Sequence, residues 1–346
     1  MHIHEMLGID LGSISVKLAL IEDGRLVRTM YRRHLGRPYE TLAVMLPSIP
    51  GWQKKTACVT GSAAKGLGTL AGARPVNEVV GLAAAISAYH PELGSVIEMG
   101  GQDSKLLLFR TDGRKSVFDD FSMNSICAAG TGSFLDQQAA RLGMDAEALG
   151  RLALKCANPP RVAGRCSVFA KSDMIHLQQV GAPPEDIVAG LCLAVARNFK
   201  SIIASGKEFR PPVGFVGGVA ANAGMVRAFG EVLAEYSGGI TVPEHFPVLT
   251  AAGAALCAEA DQRFVPGDRF LDILGELNGR FEASGSHPPL MSSRGAKPVS
   301  AIATHSHGGV CHLGIDVGSI STNVVAIDSG GALLAREYLM TAGRPL

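Results

Sequence analysis

The sequence predicts an α/β protein with two lobes, and three observations predict it. Strand-like and helix-like segments alternate over the first 260 residues or so. Three of the predicted strands run into short glycine-bearing turns. The chain has 346 residues, of which 47% are hydrophobic and 18% charged, which is enough to fill two cores.

The predicted elements follow the hydrophobic periodicity of the chain. Strands are expected at 6–10, 16–21, 26–31, 56–60, 95–99, 105–109, 115–119 and 213–216. Helices are expected at 39–46, 79–89, 132–142, 167–179, 184–205, 222–236 and 250–260. The longest of them carries Ile187, Leu191, Val195 and Ile202 at helical spacing.

The bulk composition argues against nucleic-acid and membrane partners. Net charge is +1, so no strong field attracts polyanions or an anionic membrane. Apolar runs such as 79–85 and 187–196 fall far short of the ~20 residues that span a bilayer. The first ten residues lack the regions of a signal peptide. We therefore expect a cytoplasmic protein, in which the seven cysteines are thiols or metal ligands rather than disulfides.

A glycine-rich turn joins the first two predicted strands. The segment Gly8-Ile9-Asp10-Leu11-Gly12-Ser13 predicts a hairpin whose backbone N–H groups bind phosphate oxygens. Ser13 or Ser15 would add a hydroxyl, and Asp10 would face the metal that accompanies a nucleotide. An ordinary hairpin turn is the alternative for this motif taken alone.

Two further glycine motifs follow. The segment from Glu98 to Lys105 repeats the arrangement of strand, glycine pair, carboxylate and second strand, with Gly100, Gly101 and Asp103 in the turn. The strand at 213–216 ends in Gly217 and Gly218, just before a helix that begins near Asn222. Such a strand end lets an adenosine lie close against the backbone.

With these three motifs in this order, the chain resembles the actin, sugar-kinase and heat-shock ATPase superfamily. The resemblance implies Mg-ATP binding in a cleft between two ribonuclease H-like lobes, with Asp10 and Asp103 near the metal and the attacking water. It implies that Gly217, Gly218 and Asn222 lie by the adenosine, and that Gly253 belongs to a helix that closes the fold. Walker-type and Rossmann readings are excluded because neither GxxxxGK[ST] nor an early GxGxxG is present.

The start of the chain returns near its end. Residues 7–15 recur at 313–321 and differ only in having Val317 where the first copy has Leu11. Gly36-Arg37-Pro38 recurs as Gly343-Arg344-Pro345. A period of this length predicts a duplicated domain. We expect an ATPase domain at 1–265, a Gly/Ser/Pro/His linker at 266–311, and at 312–346 the truncated start of a second copy, within a longer tandem protein. His305 and His307 are interpreted as linker residues, not as a metal site.

Two cysteines differ from the other five. Cys127 and Cys166 each precede a predicted helix, where the helix N-terminus favours a thiolate or an anionic cluster. From chemistry alone, small buried hydrophobes remain the alternative. Cys58, Cys156, Cys192 and Cys257 lie in apolar stretches and are expected to be packing residues.

The segments CAAGTGSFLDQQA and RCSVFAKSDMIHLQQ closely resemble those of the ATPase activators of 2-hydroxyacyl-CoA dehydratases and the ATPase subunits of benzoyl-CoA reductases. The resemblance covers about residues 5–260. It implies that Cys127 and Cys166 bind a [4Fe–4S] cluster shared by a homodimer or with the second repeat, because two ligands are half a set. It further implies ATP-driven electron delivery to a dehydratase or reductase, with reduced ferredoxin or flavodoxin as donor. The nucleotide-binding candidates are Gly8, Gly12, Ser13, Ser15, Lys17, Gly100, Gly101, Gln102, Gly130, Gly132, Gly217, Gly218 and Asn222.

Two other functions remain open from the sequence. A small-molecule kinase of the N-acetylglucosamine type shares the superfamily but has no use for Cys127 and Cys166. A non-redox nucleotide switch would bind ATP without iron. The colour of anaerobically purified protein separates these functions, because only an iron–sulfur protein is brown.

Overall fold

The structure is a computed structural model that describes residues 5–113, 115–124, 131–163, 167–237, 239–283, 309–318 and 321–340. Its strands are β1 (Glu5–Leu11), β2 (Ser15–Glu22), β3 (Arg25–Arg33), β4 (Thr56–Thr60), β5 (Ser95–Met99), β6 (Ser104–Asp112), β7 (Lys115–Met123), β8 (Val213–Val216), β9 (Ile240–Thr241), β10 (Arg263–Phe264), β11 (Cys311–Val317), β12 (Ser321–Asp328) and β13 (Leu333–Met340).

Its α-helices are α1 (Pro38–Met45), α2 (Ala64–Ala71), α3 (Glu78–Tyr89), α4 (Gly132–Arg141), α5 (Ala146–Ala153), α6 (Ser167–Gln179), α7 (Pro184–Asn198), α8 (Ala223–Val232), α9 (Ala234–Ser237), α10 (Leu249–Cys257) and α11 (Phe270–Ala283). No helix within the described ranges is long and apolar enough to cross a membrane.

The first lobe is built on a five-stranded sheet of order β10-β4-β1-β2-β3, in which β1 pairs antiparallel with β2 and parallel with β4. Because strand side chains alternate between faces, Leu7, Ile9 and Leu11 share one face and are fully buried against α1, α2 and α11. The opposite face packs against α10.

The second lobe has a sheet of the same size, of order β7-β6-β5-β8-β9. One face, which includes Ile97 and Leu106, forms the largest core with α4 to α8. The other face, which includes Val96 and Leu107, packs against α3. Both lobes therefore hold a meander at one side of the sheet, as predicted, and each sheet also has a parallel pair at its centre.

Helices α3 and α10 join the lobes at a glycine crossing. A Cβ on Gly253 of α10 would lie 1.6 Å from the carbonyl oxygen of Gly81 in α3. On its other side, α10 meets β1, where a Cβ on Gly8 would lie 1.9 Å from the carbonyl oxygen of Ala251. Only glycine allows backbones to approach this closely. Gly253 thus holds the lobes together, in accord with its expected place in the closing helix.

The repeated sequence near the C-terminus folds as a separate three-stranded sheet, β11-β12-β13. Leu313 pairs with Ala326 as Leu7 pairs with Leu20, so β11–β12 repeats the β1–β2 register at an offset of 306. The irregularity between Leu20 and Ile21 also recurs at the same place. Yet Leu313 is 63% exposed while Leu7 is 0% exposed. The local pairing is repeated, and the packing that buries the first copy is not.

Most predicted elements are present, and three differ. The helix expected at 184–205 ends at Asn198 and continues as a π-helix at Phe199–Ile203. The helix expected at 222–236 is divided into α8 and α9. Helix α11 lies beyond the domain end expected at 265, and it packs the buried side chains of Phe270, Leu274 and Leu277 into the first lobe.

Candidate functional site

A cavity of about 310 Å³ lies between the lobes. Both glycine hairpins line it, together with the strand end at Gly218 and the start of α4 at Gly132. The two hairpins have the same turn, since the Gly12 N–H donates to the Ser15 carbonyl at 3.1 Å and the Gly100 N–H donates to the Asp103 carbonyl at 2.8 Å. The three sequence motifs are thus brought to one place.

The first hairpin carries a buried ion pair across its two strands. Asp10 and Lys17 are register partners, and the Lys17 ammonium lies 2.7 Å from the Asp10 carboxylate. Burial raises the pKa of Asp10 above its ordinary value, and the charge of Lys17 offsets part of that rise. Lys17 therefore holds Asp10 in place beside the cavity.

The second hairpin repeats this pair. Glu98 and Lys105 are register partners, and the Lys105 ammonium lies 2.9 Å from Glu98 and 3.1 Å from Glu78 at the start of α3. Burial alone would lower the pKa of Lys105, but Glu98 and Glu78 raise it above its ordinary value. Lys105 is therefore a permanent cation that ties α3 to the second hairpin.

The third motif forms the opposite wall. Gly217 has φ 86°, and a Cβ there would lie 2.5 Å from the Met99 carbonyl oxygen. Asn222 is buried and caps α8, accepting from the Met225 N–H at 3.0 Å and donating to the Ala146 carbonyl at 2.7 Å. Asn222 therefore links the start of α8 to the start of α5 and helps to shape the wall of the cavity.

Three contacts close the cavity across the lobes. A Cβ on Gly101 would lie 2.1 Å from Ile14, so the tips of the two hairpins touch. The Tyr31 hydroxyl lies 3.2 Å from the position that a Cβ on Gly218 would occupy. The guanidinium of Arg33 binds both carboxylate oxygens of Asp136 in α4, one of them at 3.1 Å. The described conformation is a closed one.

The structure brings most of the predicted site residues together. Those that line the cavity are Asp10, Gly12, Ser13, Ser15, Lys17, Gly100, Gly101, Asp103, Gly132, Gly218 and Asn222. Three described residues do not line the cavity. Gly8 packs against α10, Gly217 packs against Met99, and Gln102 is exposed with its carbonyl accepting from Asn124. Gly130 lies outside the described residues.

Sequence reasoning missed several side chains of the cavity: Tyr31, Arg33, Glu78, Glu98, Lys105 and Asp136. For Glu98 and Lys105 a signal was available. An acid and a lysine seven residues apart flank each glycine hairpin, and in an antiparallel pair this spacing makes them neighbours. The C-terminal repeat β11–β12 departs from this pattern. There the Asn323 amide lies 3.3 Å from Asp316, and Asn323 stands where the first copy has Lys17.

The four cysteines expected to be packing residues all lie in or against apolar clusters. Cys58 and Cys192 are buried, and burial raises the pKa of each thiol to about 12. Cys156 and Cys257 are half-buried, and burial followed by a hydrogen bond with Asp186 raises the pKa of Cys156 to about 11. These thiols stay protonated at neutral pH. Cys127 and Cys166 lie outside the described residues.

The cavity suits a metal–nucleotide complex better than a free nucleotide. Six carboxylates and three basic side chains line it, so a bare polyphosphate would meet net negative charge. Asp10 and Asp103 offer the oxygen ligands that Mg²⁺ prefers. Within the described ranges, no three His, Cys, Asp or Glu side chains form a complete metal site. A magnesium ion would therefore take its other ligands from phosphate and water, as it usually does.

Two sheets that each carry a meander and a glycine hairpin, joined by crossing helices around one cleft, define an α/β protein of the actin and sugar-kinase fold class. Residues 54–258 match the family model described as BadF/BadG/BcrA/BcrD ATPase family. The match covers more than half of the chain, and the chain belongs to this ATPase family.

The chain is similar to one sequence relative and to two solved structures. The 2-hydroxyisocaproyl-CoA dehydratase activator of Clostridioides difficile is 38% identical over 186 residues, which are 54% of this chain and 67% of the relative. A solved structure of the Clostridium difficile activator with bound ADPNP has a TM-score of 0.61 at 28% identity, covering 82% of this chain and 99% of that one. Component A of the Acidaminococcus fermentans (R)-2-hydroxyglutaryl-CoA dehydratase has a TM-score of 0.65 at 28% identity, covering 73% and 97%.

Proposed function

We propose that this protein is an ATP-hydrolysing activator that delivers a low-potential electron to a 2-hydroxyacyl-CoA dehydratase or a benzoyl-CoA reductase-like enzyme. Its family membership supports the ATPase part. The similar proteins that are named as activators or components of 2-hydroxyacyl-CoA dehydratases support the choice of partner.

In this proposal the two hairpins bind the phosphates and Mg²⁺. Asp10 and Asp103 would hold the ion and the attacking water, while Lys17 and Lys105 hold the Asp10 and Glu98 carboxylates in place through their ion pairs. The strand end at Gly218 receives the adenosine. The closed lobes keep bulk water away from the phosphates.

One observation carries the link between ATP and the cysteines. The first turn of α4 is bonded to the second hairpin, since the Gly132 N–H donates to the Gly100 carbonyl at 2.8 Å and the Ser133 N–H donates to the Gly101 carbonyl at 2.9 Å. The Ser133 hydroxyl also donates to the Gly101 carbonyl, at 2.6 Å. In the sequence, Cys127 lies shortly before Gly132, the first residue of α4. A movement of the hairpin during hydrolysis would therefore pull on the segment that contains Cys127.

Cys127 and Cys166 are the residues that would hold a [4Fe–4S] cluster, which supplies one electron at low potential when bound. Cys166 directly precedes α6, where a helix N-terminus favours an anionic group. Two thiolates from each of two domains complete the ligand set, so we propose a homodimer or a pair with a second repeat. Reduced ferredoxin or flavodoxin is the proposed donor, and a reducing cytoplasm the proposed compartment, in keeping with the free thiols.

The test is anaerobic reconstitution followed by an activation assay. The reconstituted, reduced protein is mixed with an inactive 2-hydroxyacyl-CoA dehydratase, and dehydration is measured with Mg-ATP, with a non-hydrolysable analogue and without nucleotide. We expect a brown protein and activity with Mg-ATP alone. A colourless protein that hydrolyses ATP would support the nucleotide switch instead. ATP-dependent phosphorylation of N-acetylglucosamine would support the kinase.

We also propose that the ATPase domain extends to Ala283. A linker rich in Gly, Ser and Pro would follow it, before the C-terminal sheet β11–β12–β13. The packing of α11 against the first lobe supports this boundary. Limited proteolysis should cut between residues 284 and 310 and leave a stable fragment, identified by its mass. Resistance throughout that stretch, or cleavage within α11, would contradict the proposed boundary.

A further inference from the structure

His34 lies directly after β3, 8% exposed, and contacts the first phosphate hairpin from behind. Its Nδ1 accepts from the Gly36 N–H at 3.0 Å, so this nitrogen carries no proton. Its Nε2 lies 3.1 Å from the Gly12 carbonyl oxygen, which can only accept. These two partners assign the tautomer: Nε2 carries the proton, and the Nε2–H group donates a hydrogen bond to the Gly12 carbonyl oxygen.

A second bond reaches the same turn. The His34 backbone N–H donates to the Ile14 carbonyl at 3.0 Å. Two carbonyls of the turn are therefore directed towards His34. In a trans peptide the N–H points opposite to the preceding C=O, so the Ser13 N–H is directed away from His34. Gly12, Ser13, Ile14 and Ser15 line the cavity on that side.

We propose that His34 is a positioning residue for nucleotide binding: its ring fixes the Gly12–Ser13 peptide so that the Ser13 N–H faces the phosphates. This inference rests on the nucleotide site proposed above. Without the Nε2 donor, the Gly12 carbonyl would lose its buried partner and the peptide would be free to turn. A turned peptide presents a carbonyl oxygen to an anionic phosphate in place of a donor.

Two variants of His34 distinguish the role of its Nε2 from the role of its Nδ1. The amide nitrogen of His34→Gln reaches the position of Nε2 and keeps the donor to Gly12. The shorter His34→Asn keeps an acceptor near Nδ1 for Gly36 and loses the donor to Gly12. Both variants retain the backbone bond to Ile14 and a polar side chain at a buried position. If the proposal holds, Gln preserves phosphate binding and Asn does not.

The measurement is calorimetric binding of Mg-ADP and of adenosine to the whole chain, with thermal unfolding as a check on folding. We expect the Kd of Mg-ADP to rise about tenfold in His34→Asn, the worth of about one hydrogen bond, and less than threefold in His34→Gln. The Kd of adenosine should be unchanged in both. The control His90→Asn, at a histidine that pairs with Glu92 outside the cavity, should change neither.

Each remaining outcome overturns the inference. Equal Mg-ADP affinity in wild type and His34→Asn would mean that the ring does not orient the turn. Equal losses in the two variants, or a parallel loss of adenosine binding, would mean that His34 only supports the fold. If the wild type binds no Mg-ADP, the proposed nucleotide site itself is wrong, which is a separate result.

Discussion

Replacing Asp103 with alanine is expected to cut ATP hydrolysis at least tenfold while leaving the protein folded. Asp103 lines the cavity at the turn of the second hairpin, and its loss would remove the proposed ligand for the metal or the attacking water. The Asp103 backbone carbonyl that closes the turn is retained in the variant. Steady-state phosphate release and thermal unfolding measure the two effects.

Asp10→Ala should lose hydrolysis to a similar extent and also lose stability. Its removal leaves the largely buried Lys17 without its partner at 2.7 Å, a defect that costs about 3 kcal/mol or more. The control is Asp112→Ala, at an exposed carboxylate at the far end of β6. If Asp103→Ala hydrolyses ATP at the control rate, Asp103 has no part in the chemistry.

Replacing Cys127 or Cys166 with serine is expected to remove most of the iron from the anaerobically reconstituted protein. The wild type should hold about four irons per dimer, since in the proposed arrangement each domain would supply two of the four ligands of a [4Fe–4S] cluster. Oxygen should destroy a cluster exposed at such a seam and weaken the dimer with it. Iron analysis and the mass in solution are the measurements.

Cys311→Ser is the matched control for this experiment. Cys311 is exposed at the start of β11, outside both proposed ligand segments, so its loss should leave iron and dimer unchanged. Two results would contradict the shared cluster. One is a full complement of iron in both Cys127→Ser and Cys166→Ser. The other is four irons in each wild-type monomer.

The local elements were predictable because short-range interactions determine them. The strand predicted at 213–216 is β8 to the residue, and the helix predicted at 167–179 is α6. Each glycine hairpin was recognised from its own few residues. The helices α2 and α5 were missed: eight residues give the hydrophobic period little over two turns in which to show, and of the three helices of this length only α1 was recognised.

The end of α7 and the end of the first lobe were less predictable, because tertiary packing contributes to both. The π-helix at Phe199–Ile203 interrupts a pattern that still reads as helical, because Ile202 keeps the expected spacing. Helix α11 belongs to the first lobe only through its contacts with residues more than 200 positions earlier in the chain. Composition alone places the end of the first domain at 265 and cannot detect that packing.

The sequence by itself determined the class of fold, the three nucleotide motifs and the repeat, since each depends on residues within one hairpin or one strand end. Only the tertiary structure decided which side chains share the cavity. Lys105 meets Glu78 over 27 positions and Arg33 meets Asp136 over 103. Such pairs form only when separate elements pack, and no local periodicity records them. The C-terminal sheet β11–β12–β13 shows the same distinction. Its strand pairing follows from its own sequence, but the burial of its apolar face requires other parts of a domain.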